Sequence, residues 1–150
     1  MTVRASAGES APDFTLKGAS GETVTLSSFK GKERVLLVFY PRDMTSGCTD
    51  QLSAIRNEFD AFRAVETQPF GVNDDPADSH QRFIDELELP FDLLVDEGLK
   101  VADAFDALRA EGDRISRTVF IVGKSGKIIF RQAGAPAPEE LLAAIAAAND

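Results

Sequence analysis

The sequence predicts an α/β fold in which helices flank a mixed central β-sheet. Residues 34–40, Arg-Val-Leu-Leu-Val-Phe-Tyr, form a continuous apolar run, which is typical of a strand buried on both faces. The segment after this run repeats apolar residues every three or four positions, as one face of a helix does. Near the end of the chain, two apolar runs flank residues 123–126, Gly-Lys-Ser-Gly, and predict an antiparallel hairpin. Strands that alternate with helices and finish in an antiparallel pair indicate a mixed sheet.

The other elements follow in order along the chain. We predict strands over residues 13–17, 22–26, 34–40, 65–73, 92–95, 117–122 and 127–132, and helices after Thr45 or Ser46, over 76–87, over 100–108 and from Pro138 onward. The first two strands form an N-terminal β-hairpin, and Thr45 or Ser46 can cap the first helix. Strand 65–73 is expected to be weak, because Pro69 lacks the N–H that a central strand donates. This order of elements predicts a thioredoxin-like fold.

Length and composition limit the class of protein. The 150 residues are 43% hydrophobic and 27% charged, which is typical of one soluble domain, and we assign residues 1–150 to it. A net charge of −9 disfavours nucleic acid and anionic membranes as partners. Residues 1–10 lack the apolar segment of a signal peptide, and a single cysteine suits a reducing compartment. We therefore expect a cytoplasmic protein, with no metal or other cofactor.

The only cysteine, Cys48, falls in the first turn of the helix that follows the buried strand. Sites in open α/β sheets lie at the carboxyl ends of strands, and a helix N-terminus stabilises a thiolate relative to a thiol. The apolar stripe puts Cys48 on the inward face with Leu52 and Ile55, where a cysteine is equally often an inert small hydrophobic residue. Thr45 and Gly47 favour a reactive cysteine, because a hydroxyl can lie beside the sulfur and a glycine lets the backbone approach a ligand.

The spacing Pro41-x-x-x-Thr45-x-x-Cys48 resembles the active-site motif of the peroxiredoxins. Further similarity to that family extends over segments 11–16, 26–32, 79–83, 89–94 and 117–122. The chain is most similar to the bacterioferritin-comigratory, or Q-type, branch. The resemblance implies that Cys48 is the peroxidatic nucleophile and that Thr45 hydrogen-bonds the peroxide and the thiolate. It also implies that Pro41 shields the sulfur, while Arg117 holds the thiolate and polarises the O–O bond.

The chain departs from the Q-type pattern at one position. Many members of that branch carry a second cysteine five residues after the first, where this chain has Ser53. The resemblance therefore implies a one-cysteine member, whose sulfenic acid an external thiol must reduce. We expect a peroxide substrate, a thioredoxin, glutaredoxin or small thiol as reductant, and a monomer or weak homodimer.

Two function classes use the same sulfur. The first is a thiol-dependent peroxidase that reduces hydrogen peroxide and organic hydroperoxides. The alternative is a cysteine-based redox sensor or relay with little turnover. A thioredoxin-type disulfide reductase is excluded, because the chain has no Cys-x-x-Cys motif. The only histidine, His80, is expected to be a packed or capping residue.

Overall fold

The computed structural model describes residues 5–150, and its elements follow the predicted order. The strands are β1 (Thr15–Gly18), β2 (Thr23–Thr25), β3 (Arg34–Phe39), β4 (Thr67–Asn73), β5 (Leu93–Val95), β6 (Thr118–Val122) and β7 (Ile128–Ala133). The α-helices are α1 (Ser46–Asn57), α2 (Phe59–Ala64), α3 (Ala77–Leu87), α4 (Lys100–Ala104) and α5 (Pro138–Ala147). Residues 1–4, part of the segment in which we expect no signal peptide, lie outside the described residues.

Within residues 5–150 the strands form one mixed sheet of seven strands, in the order β2-β1-β5-β4-β3-β6-β7. Strand β3 is parallel to β4 on one side and antiparallel to β6 on the other. Strand β1 pairs antiparallel with both β2 and β5, so the N-terminal hairpin extends the sheet at one edge. The antiparallel pair of β6 and β7 forms the other edge. The predicted mixed sheet with an N-terminal hairpin is confirmed.

The sheet separates two apolar cores, because successive side chains of a strand point to opposite faces. Leu37 and Phe39 of β3 belong to the core that α4 and segment 105–115 help to cover. Leu36 and Tyr40 belong to the core formed with α1, α2, α3 and α5. All four side chains are buried. The apolar run at β3 therefore reports a strand covered on both faces, as predicted.

Strand β4 is stronger than expected from its proline. It is seven residues long and lies between β3 and β5. The carbonyl of Val72 accepts from the N–H of Tyr40, just after β3, whereas the N–H of Gly71 donates toward β5. Main-chain groups alternate sides along a strand, so Pro69, two residues before Gly71, also has its ring nitrogen on the β5 side. Strand β5 pairs with β4 only from Gly71 to Asn73. The missing N–H of Pro69 therefore costs no ladder bond, and the prediction of a weak strand is wrong.

Two helices are shorter than their apolar patterns. The stripe that begins at Cys48 runs over α1 and α2, which are separated at Glu58 (φ −111°, ψ 16°). Helix α4 ends at Ala104 because Asp106 takes a left-handed conformation (φ 53°), which stops a helix. The apolar stripe thus predicts which side chains are buried better than it predicts where a helix ends. In the part of the chain described, no helix combines the length and the apolar character that crossing a bilayer requires.

Candidate active site

Cys48 lies near the start of α1, the helix that follows β3. Strand β3 ends at Phe39, and Cys48 is the third residue of the helix that begins at Ser46. Its side chain is only 1% exposed and packs in the same core as Leu52 and Ile55. The first-turn N–H groups of a helix lack intrahelical partners and stabilise a nearby negative charge. The sulfur is thus inward-facing, as the stripe predicts, and lies in the first turn of α1.

Arg117 reaches the sulfur from the neighbouring strand. It directly precedes β6, and the antiparallel register pairs Thr118 with Phe39, so the start of β6 meets the end of β3. Nη2 of Arg117 lies 3.2 Å from Sγ of Cys48. A guanidinium is permanently charged and presents several donors in fixed directions. The structure therefore brings together two of the four predicted site residues, Cys48 and Arg117, although they are far apart in sequence.

Gln51 and Gly47 determine where the guanidinium lies. Nη1 of Arg117 donates to Oε1 of Gln51 at 2.6 Å, and the Gln51 side chain is buried. A Cβ on Gly47 would lie 3.3 Å from Nη2, so the glycine leaves room for the arginine. Gln51 was not among the predicted site residues. Its spacing of three from Cys48, on the same helix face, is the signal by which it can be found.

One hydrogen-bond donor beside Cys48 and Arg117, on the side chain of Gln51, has no acceptor within the described residues. Nε2 of Gln51 is buried and has no hydrogen-bond partner within residues 5–150. A buried N–H group without an acceptor is unfavourable, and such groups are often completed by a ligand or water. The amide of Gln51 therefore holds a second, unpaired donor beside the oxygen that binds Arg117.

Thr45 and Pro41 lie in the loop of residues 41–45 between β3 and α1, which we call the active-site loop. Thr45 occupies the position before α1, but its exposed hydroxyl donates to the carbonyl of Arg42 at 3.0 Å. Of the two predicted caps, Thr45 or Ser46, it is Thr45 that takes the N-cap position, but its side chain makes no capping bond because the hydroxyl donates to Arg42. No hydrogen bond joins Thr45 to the sulfur in the described chain, and Pro41 is half-buried at the end of β3. Their roles toward peroxide stay predictions.

The active-site loop is strained and held from inside. Met44 has φ 65°, a left-handed conformation that costs a non-glycine residue about 1 kcal/mol, and its side chain is 51% exposed. The hydroxyl of Tyr40 donates to the buried carboxylate of Asp43 at 2.6 Å, and the N–H of Asp43 donates to Asp75 at 2.7 Å. These bonds hold the loop in the shape that leads into α1.

Comparison with known proteins identifies relatives across most of the chain. Residues 7–131 match the AhpC/TSA family model. The chain is 40% identical over 128 residues to Peroxiredoxin Bcp of Bacillus subtilis (strain 168), a match that covers 81% of both chains. It is 37% identical over 134 residues to Putative peroxiredoxin Q, chloroplastic, of Oryza sativa subsp. indica. That match covers 85% of this chain but 58% of the rice protein, so this chain spans less than two thirds of the plant relative.

Solved structures agree with the sequence relatives. Peroxidoxin BcpB from Mycobacterium tuberculosis superposes with a TM-score of 0.88 at 25% identity, covering 97% of this chain and 99% of that one. Peroxiredoxin Q of Xanthomonas campestris gives a TM-score of 0.84 at 25% identity, covering 94% and 97%. The predicted thioredoxin-like fold is thereby confirmed. Since the family model and the B. subtilis relative both span most of its length, the chain belongs to the AhpC/TSA family, as a peroxiredoxin similar to Bcp and peroxiredoxin Q with a single cysteine.

Proposed function

We propose that this protein is a thiol-dependent peroxidase that reduces hydrogen peroxide and organic hydroperoxides through Cys48. The observation that carries the proposal is the 3.2 Å contact between Sγ of Cys48 and Nη2 of Arg117 at the start of α1. Membership of a family whose similar members are named peroxiredoxins supports the same activity. The alternative, a redox sensor with little turnover, is not favoured by those relatives.

The proposed reaction begins with attack of the Cys48 thiolate on one oxygen of the peroxide. The O–O bond breaks, the sulfur gives up two electrons and becomes a sulfenic acid, and the other oxygen leaves as hydroxide or alkoxide. That oxygen then takes a proton to become water or an alcohol. Arg117, held by Gln51 through a 2.6 Å bond, is positioned to stabilise the charge that develops on the leaving oxygen.

Thr45 and Pro41 complete the proposed site from the active-site loop. The hydroxyl of Thr45 is exposed at the start of α1 and binds only a main-chain carbonyl, so it can turn toward a bound peroxide. Pro41 lies half-buried where β3 ends and limits the access of water to the sulfur. Peroxide would thus be held between a neutral hydroxyl and a charged guanidinium.

We propose that an external thiol regenerates Cys48. The chain has one cysteine, so the donor thiol attacks the sulfenic sulfur, releases water and forms a mixed disulfide. A second donor thiol then frees the Cys48 thiolate and leaves as part of the donor's disulfide. A thioredoxin, a glutaredoxin or a small thiol fits this step, in a monomer or weak homodimer. A lone cysteine that relies on outside thiols also supports a cytoplasmic location.

Peroxide consumption with a panel of thiol donors tests the proposal. Cys48→Ser should abolish turnover with every donor and keep the native circular dichroism spectrum, because no disulfide is lost. Ser53→Ala, a matched change of a hydroxyl on the same helix, should keep the wild-type rate. Turnover by Cys48→Ser above a trace would contradict the proposal.

A further inference from the structure

His80, on α3, lies buried directly against the active-site loop. Its side chain is 0% exposed. Pro76 is the residue before α3 and His80 is the fourth residue inside it, so His80 is packed within the helix and does not cap it. Nδ1 of the ring lies 2.6 Å from Oδ2 of Asp43, and Nε2 lies 3.0 Å from the carbonyl oxygen of Leu94. Both ring nitrogens are therefore engaged, one of them by the loop that leads to Cys48.

The partners of the ring determine where its protons are. A carbonyl oxygen only accepts hydrogen bonds, so Nε2 must carry a proton. The Asp43 carboxylate on the other side also receives the hydroxyl of Ser79 at 2.8 Å, the hydroxyl of Tyr40 at 2.6 Å and the amide of Asn73 at 3.3 Å. A carboxyl group surrounded by donors is stabilised as the anion.

The ionisation of the neighbours agrees with this geometry. Burial raises the pKa of Asp43, but the hydrogen bonds from His80, Tyr40 and Ser79 outweigh it and hold that pKa below the ordinary value. Burial, followed by the charge of Asp43, raises the pKa of Tyr40 well above its ordinary value, so the phenol stays a donor. An ionised carboxylate only accepts hydrogen bonds, so the geometry around Asp43 calls for a donor at Nδ1 as well as at Nε2.

Other charged groups lie on the solvent side of this pair. Asp75 accepts the main-chain N–H of Asp43 at 2.7 Å and lies 4.0 Å from the exposed guanidinium of Arg42. The amide of Asn73 bridges the carboxylates of Asp43 and Asp75, at 3.3 Å from each. Within the described chain, His80 is thus the one side chain able to carry a positive charge that contacts the Asp43 carboxylate.

We propose that His80, as a buried imidazolium, is a positioning residue that fixes the active-site loop through Asp43. The inference rests on the proposed function, because this loop carries Pro41 and Thr45 and leads into the helix of Cys48. Through one carboxylate the loop is tied to α3, to β4 and to the end of β3. These ties oppose the strain of the left-handed residue next to Asp43 and keep the peroxide site in shape before substrate arrives.

Nitrogen-15 NMR tests the charge of the ring directly, because His80 is the only histidine and gives one ring spin system. We expect both ring nitrogens to carry protons at pH 7 in the wild-type protein. In Asp43→Asn, where the anion is lost, we expect one ring nitrogen to lose its proton. A ring with a single protonated nitrogen in the wild-type protein would overturn the proposal.

Rates of Cys48 oxidation by hydrogen peroxide test the positioning role. His80→Leu removes the donor, whereas His80→Asn keeps an amide nitrogen where Nδ1 stands. We expect a roughly 10-fold or larger loss for His80→Leu, since small displacements of reacting groups are costly, and an intermediate rate for His80→Asn. Leu87→Ala, a destabilising control on the same helix, should keep the wild-type rate. Equal rates for the two His80 variants, or a wild-type rate for His80→Leu, would overturn the proposal.

Alkylation of Cys48 by iodoacetamide separates this inference from the proposed function. If the wild-type protein does not consume peroxide, the peroxidase proposal fails, yet the alkylation rate still reports the shape of the loop around the sulfur. We then expect His80→Leu to differ from the wild-type protein and His80→Asn to lie between them. Alkylation of His80→Leu at the wild-type rate would overturn the positioning role.

Discussion

The contact between Arg117 and Cys48 depends on the shape of the guanidinium group as well as on its charge. One terminal nitrogen lies 3.2 Å from the sulfur while the other donates to Gln51 at 2.6 Å. A lysine has the same charge but cannot make both contacts with one ammonium group. The precision of the site therefore comes from a bidentate arrangement that two different elements, α1 and the start of β6, provide together.

Replacement of Arg117 tests this arrangement. Arg117→Ala should reduce the rate constant for Cys48 oxidation by about 10²-fold or more, the scale of losing one donor to a developing oxyanion. Arg117→Lys should recover only part of that loss. Stopped-flow kinetics with hydrogen peroxide measure both, with Arg114→Ala, an exposed arginine of the same segment, as the control. If Arg117→Ala reacts as fast as the control, another group performs this role.

Gly47 gives a second prediction, in which stability and activity move in opposite directions. A methyl group at this position would lie 3.3 Å from Nη2 of Arg117 and displace the guanidinium. Alanine also forms helices better than glycine, by up to about 1 kcal/mol. Gly47→Ala should therefore unfold at the same or higher urea concentration but oxidise several-fold more slowly. An unchanged rate would show that the close approach has no functional role.

Sequence reasoning finds some of these residues and misses others for a physical reason. Cys48 and Arg117 stand out because the peroxiredoxin motif carries them. Gln51 belongs to the site only because it binds the guanidinium of Arg117, which is 66 residues further along the chain. His80 and Asp43 are 37 residues apart, and neither belongs to a local pattern that indicates the other. Long-range polar pairs of this kind appear only when the chain is folded.

At the scale of elements, the apolar pattern predicts the sheet more securely than it predicts helix ends. The run at β3 is long and apolar on both faces, so its central position follows from composition alone. Pro69 misled the prediction for β4 because the harm done by a proline depends on which side its nitrogen faces, and pairing decides that. The break at Glu58 is invisible in the stripe because the same face stays buried on both sides of it.

The ties between β3, β4 and α3 at Asp43 give a pH-dependent contribution to stability. The pKa of Asp43 is lowered on folding, chiefly because bonds from His80, Tyr40 and Ser79 outweigh the effect of burial. A depressed pKa adds stability above the unfolded value of about 3.9 and loses it as the pH falls through the folded value. Asp43→Asn should therefore lower the free energy of unfolding at pH 7 by about 2 kcal/mol, the scale of a lost hydrogen bond to a charged group.

Urea unfolding as a function of pH checks that contribution. The difference in stability between the wild-type protein and Asp43→Asn should shrink as the pH falls below about 4, where the carboxylate of Asp43 gains a proton. Asp60→Asn, at an exposed position on α2, should show no such change. A difference that stays the same down to the acid transition would mean that Asp43 is not held as the anion.

For the molecule as a whole, the chain has a single thiol, and that thiol is buried. Cys48 is 1% exposed, and the sequence holds no second thiol. A disulfide between two copies would require both active-site loops and both first turns of α1 to open together. The first product of peroxide should therefore be a sulfenic acid on Cys48, with no disulfide to a second copy of the chain. Assignment of residues 1–150 to one domain stays a prediction.

Intact-mass spectrometry after one equivalent of hydrogen peroxide shows whether Cys48 is the residue that peroxide oxidises. With dimedone present, we expect one adduct per chain, located on Cys48, in a protein that runs as a monomer on a non-reducing gel. Excess peroxide without dimedone should add two oxygen atoms and give the sulfinic acid, since no second thiol competes for the intermediate. A Cys48 that stays unmodified would contradict the peroxidase proposal, and a dominant dimer linked between two Cys48 residues would show instead that a second copy of the chain resolves the sulfenic acid.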